Sequence, residues 1–366
     1  MSPRSNFAAA FVFALILSAA GAAAQPGPVQ HVIHISVDGL RPDAVTLQGP
    51  DDLPNFYRLR AEGAFTDNAR TDADYSITLP NHMAQLTGRA VLGDGGHHWT
   101  DNTDPEPGET LHSRRGTYVT SVFDVVHDHG LRTGAYTSKS KFVLLDRSYD
   151  EEHGARDVTG ADDGRDKIDA FVYESDTDDL VERFVADLAE DPPAYAFLHL
   201  RDPDTSGHRW GWRLSGWHPY MRSVRKVDDL LGEVLATIDE SPHLKGNTVV
   251  VLTADHGGSG HGHGDDEPEH YTVPFYVWGA DVPAGDLYAL NADLRRDPGV
   301  DQLGFDAPVQ PIRNGGVANL AVGLLGLDPV PGSTINVARR MRIVPDGEEH
   351  AESLLGGAVA GPSSNH

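Results

Sequence analysis

Apolar runs and segments with helical periodicity alternate along most of the chain. Continuous apolar runs rich in β-branched residues predict buried strands at 31–37, 132–137, 195–200, 248–253 and 273–278. Helical periodicity predicts helices at 53–62, 118–129, 180–188, 221–238 and 312–325. Because strands that alternate with helices form parallel sheets covered on both faces, this pattern predicts an α/β fold. We expect a three-layer α/β/α sandwich with a mostly parallel central sheet.

The pattern is consistent with one large domain spanning residues 25–344. Gly- and Asp-rich stretches at 89–116 and 149–170 predict long loops. Residues 279–310 predict a small insertion before the last helix. The polar, Gly-rich residues 345–366 predict a disordered tail.

The N-terminus has the pattern of a secretory signal peptide. Arg4 precedes an apolar run at 7–20, and three alanines stand before Gln25. This order predicts a cleaved signal peptide at residues 1–24 and a secreted or periplasmic protein that has no membrane contact after cleavage. An uncleaved membrane anchor is the alternative, because the run approaches spanning length. The absence of cysteine excludes a lipoprotein anchor.

The chain is strongly acidic, with 29 Lys and Arg against 55 Asp and Glu and a net charge of −26. Such a surface repels nucleic acid and anionic lipid, so we expect no nucleic-acid-binding surface. A solubility or high-salt adaptation explains the same composition. If the substrate is anionic, metal ions or a few basic residues must supply the local positive charge.

Acidic residues follow three of the predicted strands at their carboxyl ends. Asp38 follows the first strand, Asp204 comes shortly after the strand at 195–200, and Asp255 with His256 follows the strand at 248–253. Ligands of open α/β sheets bind at this edge. The three positions together therefore predict one convergent site.

Carboxylate and imidazole side chains are the ligands of catalytic metal sites. Asp204 and His208 are four residues apart and share one face of a helix, and a Gly-rich stretch adds His261 and His263. Each feature has a simpler explanation: a turn at Asp38, a helix cap at Asp204, and solvated histidines in the loop.

The stretch S-I-T-L-P-N-H at 76–82 opens a predicted helix, with Pro80 in its first turn. Thr78 lies at or just before the helix N-terminus, where amide groups and the helix dipole favour an anion. Thr78 is therefore either an N-cap or a nucleophile. A threonine hydroxyl needs activation, and a metal ion supplies it by lowering the hydroxyl pKa.

The motifs V-D-G-L-R-P-D, T-L-P-N-H, D-P-D-T-S-G-H and T-A-D-H-G occur in that order, followed by a later H-G. In this order they resemble the alkaline phosphatase superfamily, specifically its type I phosphodiesterase/nucleotide pyrophosphatase branch. The resemblance extends from about residue 31 to the segment at 312–327. Sulfatase members of the superfamily need a modified cysteine or serine in a C/S-x-P-x-R context, which this chain lacks.

The resemblance implies an alkaline phosphatase-like fold and a site with two divalent metal ions, for which we expect Zn²⁺. Thr78 is then the nucleophile that forms a phospho-threonine intermediate. One ion is assigned to Asp38, Asp255 and His256, with Thr78 also bound to it.

The second ion is assigned by the same resemblance to Asp204, His208 and His263. His263 is preferred as the histidine that precedes a glycine, with His261 as the next choice and His270 after it. Asn102 matches an asparagine that contacts the phosphoryl oxygens in relatives.

Lys139 and Lys141 follow a predicted strand in T-S-K-S-K-F. They resemble the basic pair that holds a terminal phosphate in some threonine-nucleophile phosphomonoesterases of the superfamily. The alternative is a pair of solvated lysines.

These observations predict a secreted, metal-dependent phosphoric ester hydrolase of the phosphodiesterase or nucleotide pyrophosphatase type, acting on a small-molecule phosphate ester. A phosphomonoesterase of the same fold is the alternative within the superfamily. A non-catalytic exported zinc-binding protein is the alternative from another class. The sequence leaves the oligomeric state undetermined.

Overall fold

The computed structural model describes residues 29–337 together with Met341 and Ile343. The predicted signal peptide at 1–24 and the predicted tail at 345–366 lie outside the described residues. Within the described part, the strands form a single sheet. The strands are β1 His31–Val37, β2 Ala64–Arg70, β3 Thr133–Thr137, β4 Ala170–Tyr173, β5 Tyr195–Leu200, β6 Thr248–Thr253, β7 Thr272–Gly279 and β8 Gly285–Asp286.

Helices occupy most of the connections between strands. In chain order they are α1 Pro42–Gln48, α2 Pro54–Glu62, α3 Thr78–Thr87, α4 Leu111–Arg115, α5 Val122–His127, α6 Val143–Ser148, α7 Thr177–Glu190, α8 Asp202–Trp210, α9 Pro219–Glu240, α10 Pro268–Tyr271, α11 Leu287–Leu290 and α12 Val317–Leu324. Short 3₁₀ turns at Ser140–Phe142 and Asn314–Gly316 precede α6 and α12.

The sheet order is β4-β3-β5-β1-β6-β7-β2-β8. The five strands from β4 to β6 are parallel to one another, whereas β7 is antiparallel to both of its neighbours, β6 and β2. Helices α1, α2, α7 and α8 pack with α9 on one face, and α3, α5 and α12 pack together on the other. The predicted α/β sandwich with a mostly parallel sheet is therefore confirmed.

The strands at the centre of the sheet are buried along their whole length, which explains their continuous apolar sequences. All residues of β5 and β6 are buried, and so are all residues of β1 after His31. Both faces of these strands are covered by other elements. A sequence that alternated polar and apolar residues would therefore bury polar side chains without hydrogen-bond partners. Their bounds agree with the predicted strands.

The structure differs from the predicted elements where the apolar signal is short or interrupted. Strand β2 was not predicted, because its sequence A-F-T-D-N-A-R carries polar residues and a bulge between Thr66 and Ala69. The four-residue β4 also lacked a prediction. The helix predicted at 118–129 is limited to Val122–His127, since Ser121 caps it through the amide of Asp124.

No helix among the described residues combines the length and apolar character required to cross a membrane.

Candidate active site

Four neighbouring parallel strands, in the order β3-β5-β1-β6, end at the same edge of the sheet. Asp38 directly follows β1, and Asp255 comes two residues after β6. Asp204 lies in the first turn of α8, just after β5. Gly39 permits the close approach of α8 to β1, because its φ is +71° and a Cβ there would lie 2.8 Å from Asp204 Cα. The sheet thus brings the three acidic positions together.

Asp38, Asp255 and His256 form one compact group of potential ligands. One ligand atom from each lies within 4.8 Å of the others, and all three residues are buried. Thr78 is the first residue of α3, and its hydroxyl lies 3.3 Å from His256 Nε2. The N-cap residue is Ile77, and no side chain caps the helix, so the structure does not support the N-cap role for Thr78.

A second compact group joins Asp204, His256 and His263. His263 Nε2 lies 3.8 Å from Asp204 Oδ1, and the His263 ring stacks on the His256 ring at 3.5 Å between centroids. His208 Nε2 lies 3.2 Å from the same Asp204 oxygen, and about half of the His208 side chain is exposed. His208 therefore approaches this group from the solvent side and is not part of its most compact set. Asp204 is not a helix cap, because the N-cap of α8 is Arg201.

The hydrogen bonding of the carboxylate oxygens indicates whether these groups can hold metal ions. Asp38 Oδ1, Asp204 Oδ1 and Asp255 Oδ2 are buried, and each lacks a hydrogen-bond partner among the described residues. A buried carboxylate oxygen without a donor is unfavourable unless a cation pairs with it. These carboxylates belong to the two ligand groups, so the donor set fits divalent cations. Mixed carboxylate and imidazole donors suit Zn²⁺.

Lys139 lies between the two groups and not at their mouth. Its Nζ is 2.6 Å from Asp38 Oδ2 and 2.6 Å from Asp204 Oδ2. Burial alone would lower the pKa of Lys139, but the facing carboxylates of Asp38 and Asp204 outweigh burial and raise it. Burial likewise favours a raised pKa for Asp38, yet Lys139 and His199 hold that pKa well below its usual value. Lys139 is thus charged and engaged with two carboxylates.

Asn102 and Lys141 lie together beside the N-terminus of α3. Asn102 Oδ1 accepts hydrogen bonds from the amide of Leu79 at 2.9 Å and from Lys141 Nζ at 3.1 Å. Both contacts use the oxygen of Asn102, so its amide NH₂ group is available as a donor. Burial lowers the pKa of Lys141, and the nearby charge of Lys139 lowers it further.

Two buried histidines that the sequence reasoning had not assigned to the site lie behind the carboxylates. His199 Nε2 donates to Asp38 Oδ2 at 2.9 Å, and Ser138 Oγ lies 2.9 Å from its Nδ1. His82 Nδ1 lies 2.8 Å from the Thr78 carbonyl and 3.5 Å from Asp255 Oδ2. Burial lowers the pKa of both histidines, which keeps them neutral. The only sequence signal was a histidine inside a buried strand, at His199.

The alternative histidines have other partners. His261 is exposed, and its Nδ1 lies 3.0 Å from the His208 carbonyl. His270 is buried, where its Nε2 contacts Ser259 Oγ and its Nδ1 accepts from the Asp265 amide. Neither belongs to the two compact groups, whereas His263 does.

A third potential ligand group joins His127, the last residue of α5, to Asp157 and Asp163 in the loop after α6. The buried Lys167 ammonium already pairs with Asp157 there and donates to the Gly164 carbonyl at 3.0 Å. This internal cation satisfies the buried carboxylate, so the cluster is explained without a metal ion.

Comparison with known proteins indicates the family of this chain. Residues 32–270 match the family model described as type I phosphodiesterase / nucleotide pyrophosphatase. The chain belongs to this family. The predicted place in the type I phosphodiesterase/nucleotide pyrophosphatase branch of the alkaline phosphatase superfamily is therefore confirmed.

Individual relatives are distant. GPI ethanolamine phosphate transferase 1 of Neurospora crassa is 28% identical over 203 residues, which are 52% of this chain and 19% of that protein. Human ectonucleotide pyrophosphatase/phosphodiesterase family member 7 is 24% identical over 261 residues, 66% of this chain and 51% of that protein. The chain thus spans about half or less of the length of these relatives.

Among solved structures, a putative sulfatase from Bacteroides thetaiotaomicron aligns with a TM-score of 0.58 and 14% identity. The alignment covers 88% of this chain and 76% of the sulfatase. At this identity the similarity establishes the fold and does not bear on the ester that is cleaved.

Proposed function

We propose that this protein is an exported phosphodiesterase or nucleotide pyrophosphatase that acts through a phospho-threonine intermediate at a two-ion site. The observation that carries the proposal is the position of the Thr78 hydroxyl, 3.3 Å from His256 Nε2, in a group whose buried Asp38 and Asp255 each have one oxygen without a hydrogen-bond partner among the described residues. Asp38, Asp255 and His256 would hold one ion next to Thr78. Asp204, His208 and His263 would hold the other.

Divalent ions at these positions would supply Lewis acidity, which lowers the pKa of an alcohol and offsets phosphoryl charge. The Thr78 oxygen attacks phosphorus and forms a P–O bond, and the leaving oxygen departs with its electron pair. Water then cleaves the Thr78 ester in a second displacement. Asn102 Nδ2 and Lys141 Nζ are the nearby donors for the phosphoryl oxygens in both steps.

The central test replaces the nucleophile. Thr78→Ala should lower turnover of bis-p-nitrophenyl phosphate by roughly three orders of magnitude or more while the zinc content stays constant. Thr78→Ser keeps a hydroxyl at the same position and serves as the matched control, which should retain measurable turnover. Acid quench of the wild-type reaction, followed by mass spectrometry, should place the phosphoryl group on Thr78. Full activity of Thr78→Ala would exclude this mechanism and favour a non-catalytic zinc-binding protein.

A phosphomonoesterase is the second candidate, and the contact between Lys141 and Asn102 favours it. A cation beside the asparagine can pair with the additional charge of a monoester dianion. Comparing p-nitrophenyl phosphate with bis-p-nitrophenyl phosphate separates the two candidates. If the monoester is preferred by orders of magnitude and Lys141→Ala removes that preference, the diesterase assignment is wrong.

Export is proposed from the N-terminal sequence pattern alone. N-terminal sequencing of protein recovered from the periplasm or medium should begin at Gln25. Recovery of an intact N-terminus in the membrane fraction would favour the uncleaved anchor instead.

A further inference from the structure

The segment after the ligand Asp204 departs from the acidic character of the chain. Residues 205–227 contain neither Asp nor Glu, although the whole chain has 55 acidic residues against 29 basic ones. The same segment holds the basic residues Arg209, Arg213, Arg222, Arg225 and Lys226. It comprises the second half of α8, the following loop and the first part of α9.

Two of these basic side chains are neutralised by carboxylates from other elements. Arg225 pairs with Asp52 at 2.7 Å, and Lys226 pairs with Asp178 at 2.7 Å. The other three, Arg209, Arg213 and Arg222, are exposed and form no ion pair with any residue in the described ranges. A protein with so many surplus acidic residues thus leaves three adjacent arginines unneutralised.

Contacts show that these arginines share one surface. The Arg209 guanidinium stacks over the half-exposed ring of Trp210 at 4.8 Å. The Arg222 amide donates to the His218 carbonyl at 3.0 Å, and burial lowers the pKa of His218, which the charges of Arg213 and Arg222 lower further. We call Arg209, Trp210, Arg213, His218 and Arg222 the basic rim.

The basic rim borders the solvent side of the second ligand group. Trp212 N donates to the Gly260 carbonyl at 2.9 Å, which joins the segment to the loop that carries His263. A Cβ at Gly211 would lie 3.8 Å from Arg213 Cγ and 3.7 Å from His261 Nε2. His208, whose side chain is 47% exposed, lies one residue before the rim begins. The rim therefore adjoins the group of Asp204, His208 and His263.

Thr78 lies beside the other group, that of Asp38, Asp255 and His256. In an in-line displacement the nucleophile and the leaving group occupy opposite sides of phosphorus. In a two-ion site, one ion stabilises the attacking oxygen and the other ion stabilises the leaving oxygen. The rim consequently lies on the side from which the leaving group departs. Exposed arginines bind phosphate and carboxylate oxygens through paired N–H donors.

We propose that the basic rim is a binding site for negative charge carried by the leaving group of the substrate. The substrate class is a phosphate ester whose alcohol leaving group bears a separate anionic substituent. This inference rests on the proposed hydrolase function, because that function defines which side of phosphorus the leaving group occupies.

Paired ligands that differ only in leaving-group charge test the proposal. The ligands are the 4-nitrophenyl ester and its 3-sulfonated analogue, as diesters and as monoesters, bound to zinc-loaded Thr78→Ala protein. Binding without turnover should be about tenfold tighter for the sulfonated ester, since each exposed charge pair contributes modestly and two arginines contribute together. The difference should decrease as salt is raised.

Arg213→Gln/Arg222→Gln in the same background should bring the affinity ratio close to one. Arg156→Gln/Arg183→Gln removes the same charge from exposed positions elsewhere and should keep the ratio. An unchanged ratio in the rim variant overturns the proposal. An unchanged ratio combined with loss of co-sedimentation on phosphatidylglycerol vesicles would identify the rim as a membrane contact instead.

Turnover by the wild-type protein separates this proposal from the function on which it rests. If the wild type hydrolyses none of the four esters, the hydrolase function fails, whereas the affinity ratio still reports on the rim. If the wild type hydrolyses them and the ratio is one from the start, the rim inference alone fails.

Discussion

At the residue scale, each central carboxylate has one oxygen anchored by protein donors and one left free. Asp255 Oδ1 accepts from the amides of Gly39 and His256, at 3.1 and 2.9 Å. Asp38 Oδ2 contacts Lys139 and His199, and the free oxygens face the two ligand groups. This division orients each carboxylate to offer a single oxygen to an ion. We therefore propose that Lys139 and His199 position these carboxylates, whereas the phosphate-binding role predicted for Lys139 stays a prediction.

His199→Ala should weaken zinc binding roughly 10- to 100-fold, because residues that orient a metal ligand contribute about that much to affinity. His199→Gln places an amide donor near Asp38 and should recover most of the loss. Competition with a chromophoric chelator measures the affinity without relying on activity. Equal affinities for the wild type and both variants would show that the contact with Asp38 has no positioning role.

At the element scale, Trp212 packs between α8 and the loop that follows β6. Its indole Nε1 donates to the Gly39 carbonyl at 2.9 Å, and its ring meets His208 edge-on at 5.1 Å. The ring is accommodated by two glycines, since a Cβ at Gly207 or Gly258 would lie 2.3 or 2.4 Å from it. The spacing of the second ligand group thus depends on the absence of side chains at these two positions.

Gly258→Ala should destabilise the protein by about 1–3 kcal/mol, because a methyl group there forces the buried indole to move. It should also weaken zinc binding, since Trp212 contacts His208 and lies near His263. Gly262→Ala is the matched control, because a Cβ there meets nothing within 4 Å. Urea unfolding and chelator competition measure the two effects. A Gly258→Ala protein as stable as the control would show that the indole shifts freely.

At the scale of the whole molecule, the site concentrates carboxylates that one lysine cannot neutralise. The carboxylates are those of Asp38, Asp204 and Asp255. Among the described residues, Lys139 is the one lysine or arginine that forms an ion pair with any of them, and it pairs with Asp38 and Asp204. Burial raises the pKa of Asp255, and the charge of Asp38 raises it further. This concentration of buried negative charge is unfavourable by itself, and bound cations would offset it.

Removal of metal should lower the melting temperature, because an ion bound only to the folded state stabilises it by about 4 kcal/mol at a thousandfold excess over Kd. Thermal unfolding with chelator and with added zinc measures the difference. Asp38→Asn/Asp255→Asn should reduce the difference, since those carboxylates hold one ion. An identical melting temperature with and without metal would contradict a role for ions in this fold.

The sequence by itself determined the central strands of the sheet and the types of residue that gather at the site. Continuous apolar runs require burial on both faces, so β1, β5 and β6 could be located to the residue. Polar residues after those strands predicted one site, because parallel strands end at a common edge. The ordered motifs indicated the family that the comparison then confirmed.

The tertiary structure alone decided the contacts between residues distant in sequence. Strand order brought Lys139 onto Asp38 and Asp204, and it placed His199 behind Asp38. Periodicity reports only whether a residue is buried, whereas the partner of a buried polar group depends on packing between elements. That is why candidate ligands could be predicted from the sequence, whereas the residues that contact them could not.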